Sequence, residues 1–537
     1  MTDDHSRLPR WVKWIVWALS SIVLVIVPAV FALRHFQAEP YPQAETSLRF
    51  TEADLPFTHR ADLEGSLPFL GSAAIDVDGD GMDELFLGGG SQQADQIFRF
   101  SDGEFQAFQT FDKSGDGATH GAVSLDLDAD GDTDLLIARE SGVWLYENRN
   151  GVFEGRNLDL PLAENTTPLS LALGDVNRDG YADLFVSGYL KISLVDGETV
   201  FGDGYGGYSG LFLGDENGGW RDVTEAAGLL RQHNSFTAVF VDLDDDRDSD
   251  LVVAQDTGVI EIWENLTEMG SQIVDFIAVE NPTVDSYPMG LAVGDYDGDG
   301  RPDIFASNIG PILPHKLMRG NLSADAPFTS NWYLLKNEGG LRFSDQATAM
   351  KADVLGFGWG TVFADLNLDG RNDLVAAQNY VRLPMQAIMR TYPGKVLENR
   401  GDQFVPVERD ASAANPAYGI SPVIADFDGN GAPDIVWANL NGPSKALLSG
   451  DPLGNWLTVR LPNTVQSLGA KVTLTTPTGV LIRQVVTSQG MGSDQSRDLI
   501  FGLGSTQSVI DIRIDYQNGE TLSLLAPAIN TMVEVLP

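Results

Sequence analysis

The stretch DVDGDGMDEL at residues 76–85 is one of seven. DLDADGDTDL begins at Asp126, DVNRDGYADL at Asp175, DLDDDRDSDL at Asp242, DYDGDGRPDI at Asp295, DLNLDGRNDL at Asp365 and DFDGNGAPDI at Asp426, with starts 50, 49, 67, 53, 70 and 61 residues apart. Each copy places an acid or amide at positions 1, 3 and 5, a turn residue at 6 and an acid at 9. Alternate side chains of a tight turn bring their oxygens together, a glycine at 6 permits positive φ, and the last carboxylate closes the shell of a hard cation. The closing acid comes too early for an EF-hand, and a β run follows instead of a helix. Oxygen-only ligands favour Ca²⁺ over Mg²⁺ and Zn²⁺.

The predicted ligands are Asp76, Asp78, Asp80 and Glu84 in loop 1; Asp126, Asp128, Asp130 and Asp134 in loop 2; and Asp175, Asn177, Asp179 and Asp183 in loop 3. Loop 4 offers Asp242, Asp244, Asp246 and Asp250, and loop 5 Asp295, Asp297, Asp299 and Asp303. Loop 6 offers Asp365, Asn367, Asp369 and Asp373, and loop 7 Asp426, Asp428, Asn430 and Asp434. Up to seven Ca²⁺ ions are expected. Loops 2 and 5 should be the strongest; loop 4, where Arg247 replaces the glycine, is the doubtful one.

An apolar run such as AVSLD, LALGD or AVFVD enters each loop, and LFLGG, LFVSG or DIFAS leaves it. A third strand and a polar turn follow, as in VWLYENRNGVFE from Val143 and WYLLKNEGGLRFSD from Trp332. Four short strands per repeat, seven times over, predict an all-β, seven-bladed β-propeller spanning 48–452, in which each blade buries its faces against its neighbours. The seventh repeat runs short after KALLSG at Lys445. LRFTE at Leu48–Glu52 is almost the LRFSD of Leu341–Asp345, so it is expected to supply the outer strand of the last blade.

These loops and runs resemble FG-GAP/VCBS repeats, the calcium-loop blades also found in integrin α-subunit heads. The remainder, 455–537, is similar to the ASPIC/UnbV domain of cartilage acidic protein and its bacterial relatives. NWLTVRL at Asn455, LGAKVTL at Leu468, QGMGSDQS at Gln489 and FGLG at Phe501 with VIDIRIDY carry that likeness, and FTHRADL at Phe57 resembles the family's opening. The resemblance implies a small β-sandwich-like C-terminal domain and brings no agreed catalytic residue.

Ahead of the repeats, Trp14–Leu33 reads WIVWALSSIVLVIVPAVFAL, twenty residues without a formal charge. Such a helix spans roughly 30 Å, enough for a bilayer core. Arg7, Arg10 and Lys13 precede it, which places residues 1–13 in the cytoplasm and the rest in the periplasm or outside the cell. A cleavable signal peptide is the alternative, with a soluble secreted protein as its product, although its apolar region should be shorter. Residues 34–47 read as a linker. The absence of cysteine rules out disulfides, thiolate metal sites and a Cys nucleophile. A net charge of −42 argues against a nucleic-acid partner. Twenty-five of the 76 acids fall at ligand positions, so much of that charge is coordination chemistry.

Three long connections, Ser187–Ser209, Ser307–Asn331 and Asn379–Gly394, should gather on the face opposite the calcium loops. They carry candidate contacts for a protein or glycan partner: Tyr205, Tyr208, Lys316, Arg319, Tyr380, Arg382, Met385 and Tyr392. No catalytic motif appears among the six histidines, of which His120 is best placed to face a central channel. The expected role is a membrane-anchored interaction module or an accessory subunit of a membrane complex. The competing reading is an extracytoplasmic enzyme, a polysaccharide lyase or hydrolase, on the same scaffold.

Overall fold

The computed structural model describes residues 40–61, 65–111, 117–197, 199–379, 391–525 and 527–535, together with Pro28. Among them no helix is long and apolar enough to cross a membrane. The expected anchor at 14–33 lies outside the described residues, Pro28 apart.

The fold is all-β. Among the described residues seven sheets carry the seven loops, each built on four antiparallel strands laid side by side; sheet 1 gains a short fifth strand in parallel, and sheet 7 takes its outer strand from the N-terminal segment. In sheet 2 these are Thr119–Leu125, Asp134–Arg139, Gly142–Arg149 and Val152–Asn157, with the loop joining the first pair. First strands are buried, Gly294 at the end of Leu291–Gly294 only in part, as in Thr119–Leu125, Ser235–Val241 and Gly358–Ala364, whereas the outer Val152–Asn157 is mostly exposed. That gradient is what a ring requires: an inner strand has neighbours on every side, so its sequence is a continuous apolar run. The inner strands touch in chain order and the last, Gly419–Ala425, touches the first, Ser72–Ile75. This is the architecture of a β-propeller. Gly121 permits the close approach at the centre, since a Cβ there would sit 2.3 Å from the Leu169 carbonyl oxygen.

The N-terminal segment closes the ring as the sequence predicts. Phe50–Ala53 pairs antiparallel with Lys445–Ser449 as the outer strand of sheet 7. The predicted linker needs correction from residue 40 onward. Tyr41 donates to Asp353, the Gln43 amide to Glu408 and the Thr46 N–H to Asp410, while the Ala44 N–H reaches the Pro406 carbonyl. These polar links fix the segment along sheet 6, so it is docked chain and not a free tether.

Residues 455–535 form two sheets over one core. Asn455–Arg460, Asp498–Gly504 and Met532–Glu534 make one; Lys471–Thr476, Gly479–Gln484, Asp511–Asp515 and Thr521–Leu525 make the other. Leu457, Phe501, Val472 and Ile512 from both sheets meet in that core. This unit sits on the loop face of the propeller. Arg460 packs on Gly81 of loop 1, Asn463 accepts from the Asp126 N–H of loop 2, and Lys471 pairs with Asp245 of loop 4. The Gly502 N–H donates to Asp365 of loop 6, and Trp456 covers Gly431 of loop 7.

From this cap the segment 487–495 enters the central channel. Ser493 and Asp494 add two residues to sheet 1 in parallel, Gly490 exchanges backbone hydrogen bonds with Leu291, and Gln495 accepts from the Ile424 N–H. Asp494, fully buried, accepts from the Ser124 N–H at 3.0 Å and pairs with Arg497 at 2.8 Å. At the other end of the channel the rings of Phe69, His120, Phe236 and Trp359 pack edge to face. His120 therefore faces the centre, inside a filled core.

Candidate metal centres: seven loops built on one hydrogen-bond plan

The loops keep one geometry through changes of sequence. At position 1 the aspartate accepts the N–H of position 6 in all seven, from 2.7 Å at Asp426 to 3.1 Å at Asp126 and Asp242. Positions 4 and 6 both lie in the left-handed region. Position 6 is glycine except at Arg247 (φ 73°); position 4 is glycine, Ala129, Arg178, Asp245 or Leu368. In loop 4 neither residue is glycine, and two left-handed non-glycines store roughly 1–2 kcal/mol each. Arg247 stays because its guanidinium reaches Asp515 at 2.9 Å and the Gly519 carbonyl at 3.0 Å, tying the loop to the cap.

At position 9 the acid is buried and doubly held. One oxygen accepts the N–H of position 2, as Leu127 to Asp134 at 3.0 Å. In loops 2 to 7 the other accepts an N–H from the third strand: Asn148 for Asp134, Gly214 for Asp183, Asn265 for Asp250, Asn337 for Asp303, Asn399 for Asp373 and Ser449 for Asp434. The closing acid thus locks loop to strand while keeping lone pairs for a cation.

Four of those strand residues do more. The amides of Asn148, Asn265, Asn337 and Asn399 donate to carbonyls of their own loop and of the preceding sheet: Val77 and Thr133, Val176 and Ser249, Leu243 and Pro302, Tyr296 and Asn372. They strap the ring together at the height of the loops. Their sequence signal is an asparagine recurring before the third turn, in ENRNG, ENLT, KNEGG and ENRG, which motif reading treats as turn chemistry alone.

Three carboxylate oxygens converge within 4.8 Å in five loops: Asp76, Asp78 and Glu84; Asp126, Asp128 and Asp134; Asp242, Asp244 and Asp246; Asp295, Asp297 and Asp299; Asp426, Asp428 and Asp434. The doubtful loop 4 is among them. Burial pushes these acids up and the neighbouring carboxylates push further: Asp134 and Asp426 to about 7, Asp175, Asp244 and Asp365 to about 6, Asp250, Asp303 and Asp434 to about 8. Crowded carboxylates of this kind fit a cation wherever no side chain already neutralises them. In loop 3, Asn177 is fully buried and its Oδ1 has no hydrogen-bond partner, while its Nδ2 is held by Asp179 and the Ser271 carbonyl. An orphaned acceptor at ligand position 3 is what a hard cation would satisfy.

Two loops differ. The Arg99 guanidinium, from the third strand of sheet 1, lies 2.6 Å from both Asp78 and Glu84 and stacks on Phe108 at 4.1 Å. Lys336, from the third strand of sheet 5, pairs with Asp297 and lies 3.0 Å from Asp299.

On the opposite face the first two long connections meet. The Phe201 N–H donates to Asn321 Oδ1 at 2.7 Å, Asn321 returns its amide to the Phe201 carbonyl, and Phe201 packs on Tyr287 and Phe328. Lys316 and Leu317 stand exposed there, Leu317 at 71%. Other candidates make contacts within the chain. Arg319 donates to the Ser323 and Ala326 carbonyls and lies over Phe328, pinning its own loop. Tyr205 bonds Asp196 at 3.0 Å, and Tyr208 bridges to Gln232. Tyr392 is only 2% exposed, its ring filling the space beside Gly356, so it belongs to the core and not to a docking surface. Tyr380, Arg382 and Met385 lie outside the described residues.

Sheets, loops and cap together define the class: a repeat-built β-propeller with a C-terminal β domain. Residues 76–137, 126–186 and 242–306 match the FG-GAP-like repeat family, and residues 462–536 match the ASPIC and UnbV family. The chain thus carries FG-GAP-like repeats followed by an ASPIC/UnbV domain; loops 6 and 7 repeat the motif beyond the matched ranges. No curated protein matches the sequence. Among solved structures it is similar to Sqt1 of Saccharomyces cerevisiae (TM-score 0.41, 10% identity, 74% of this chain and 100% of that one). It is also similar to YCF48 bound to D1 peptide (0.43, 10%, 77% and 99%) and to BBS1N in complex with ARL6DN (0.40, 11%, 74% and 97%).

Proposed function

We propose that this protein is a calcium-stabilised, seven-bladed propeller held at the outer side of a membrane by residues 14–33, presenting the face opposite its loops to a protein or glycan partner. The observation that carries this reading is the union of the two long connections through Phe201 and Asn321, which makes one built surface from two insertions. Rigid scaffolds carry binding on such loops. The loop face is already covered by the C-terminal domain and the channel is filled, so the exposed Lys316 and Leu317 mark the side on which a partner has room. Calcium's part in the proposal is to stiffen the covered face, supported by the converging carboxylates and the orphaned Asn177 oxygen.

The test is capture of membrane components by the detergent-solubilised full chain, compared with K316E/L317D. Wild type should retain a saturable partner and the double variant should lose it with an unchanged melting temperature. Equal capture by both would remove the partner from this face. Catalysis on a polysaccharide is the second outcome to watch, read as release of reducing ends.

A further inference from the structure

The difference between loops 1 and 5 and the rest traces to one strand position. In every sheet the residue after the closing acid pairs with a third-strand residue: Leu85 with Phe98, Leu135 with Tyr146, Leu251 with Trp263, Ile304 with Leu335 and Leu374 with Leu397. The next residue along the third strand stands beside the loop. It is Arg99 in sheet 1 and Lys336 in sheet 5, but Glu147, Glu264 and Glu398 in sheets 2, 4 and 6. By the same pairing it is Leu213 in sheet 3 and Leu448 in sheet 7.

A cation at this position reaches two ligand carboxylates at once, Asp78 with Glu84 or Asp297 with Asp299. It then stands where a divalent ion would need those oxygens, and a fixed positive charge a few ångströms away repels that ion. Arg301 and Arg371 differ: in the ligand set each touches only the position-5 aspartate beside it, and its Nε is spent on a strand carbonyl.

Building on the calcium reading above, we propose that loops 1 and 5 are neutralised internally by Arg99 and Lys336 and take no Ca²⁺, so that the metal belongs to loops 2, 3, 4, 6 and 7. Loop 5, with four aspartates and two glycines the most regular copy in the sequence, is therefore a tethered-lysine site, and loop 4 a metal site.

The experiment is Ca²⁺ binding to the full chain in detergent, titrated calorimetrically after chelator removal, with Tb³⁺ luminescence as a second readout. Wild type should bind five ions, one for each remaining loop. K336E should bind one more, and E264K one fewer. K336M, which removes the charge without adding a ligand, guards against misfolding of K336E and should also gain an ion, with lower affinity. Seven ions in wild type, or no gain in either Lys336 variant with intact folding by circular dichroism, would overturn the assignment and leave the calcium reading standing. Absence of any saturable binding would overturn both.

Discussion

On the loop face, seven turns keep the same hydrogen bonds even where the sequence departs from the pattern, with Arg247 holding the left-handed bend that glycine holds elsewhere. On the opposite face the connections differ in length, and two of them are joined by a Phe201–Asn321 exchange that belongs to no repeated pattern of the loops. The contrast separates two kinds of constraint. Residues that must satisfy a repeated backbone geometry recur in sequence; residues that satisfy one another once do not.

If the loop face carries stability and the opposite face carries recognition, perturbing each should give different readouts. The largest effect is expected from chelation. Each metal held only by the folded state contributes about 3 kcal/mol at hundred-fold saturation, so stripping several should lower the melting temperature by roughly 10–15 °C at about 1 °C per kcal/mol, the slope that ~2.1 cal/mol/K of unfolding entropy per residue gives a chain this long. An unchanged melting temperature in excess EDTA would break the comparison at its first term. Next is D494A, which strands Arg497 in the channel; breaking a buried pair costs about 3–5 kcal/mol, and the loss should show in calorimetry with the cap released to proteolysis. N265A leaves the Val176 and Ser249 carbonyls without their amide and should cost about 1–3 kcal/mol. The smallest effect belongs to K316E/L317D on the other face, within about 0.5 kcal/mol of wild type in stability. A large loss there would show that this face, too, holds the ring together.

The pH dependence sharpens the same contrast. Asp250, Asp303 and Asp434 are raised to about 8 in the folded protein, well above an unfolded aspartate near 3.9. The folded state then binds more protons than the unfolded state, so without metal stability is full near pH 4 and falls as pH rises toward 8. With calcium bound at loops 4 and 7 the Asp250 and Asp434 carboxylates are paired, and their share of the fall should disappear or reverse. Melting temperatures between pH 5 and 8, with and without chelator, check the sign.

Much of the loop face was legible because each loop residue has a local partner: the position-1 acid and the position-6 N–H are five residues apart, and the entering run is apolar because it is buried on all sides. The clasp was legible as well, since LRFTE copies LRFSD and Phe50–Ala53 duly pairs with Lys445–Ser449. The C-terminal domain was legible from its motifs, but its docking on the loops and the plug it sends into the channel were not. Asp494 meets Ser124 across 370 residues, and nothing in QGMGSDQS announces a channel. Lys336 escaped for a related reason: its effect on loop 5 depends on strand register, which brings it to Asp297 from 39 residues away. Tyr392 misled because a tyrosine in a long connection reads as a partner contact, whereas its ring fills the space beside Gly356.

The docked segment that leads into the clasp has a mechanical meaning. A pull on the chain ahead of residue 40 meets the Tyr41–Asp353 bond first, then Gln43–Glu408, the Ala44 amide and Thr46–Asp410, and only afterwards the ladder of Phe50–Ala53. Loaded one after another, these links act as sacrificial fasteners: moderate tension detaches a few residues from sheet 6 and relaxes the strain, and the ring opens only when the last strand is peeled away.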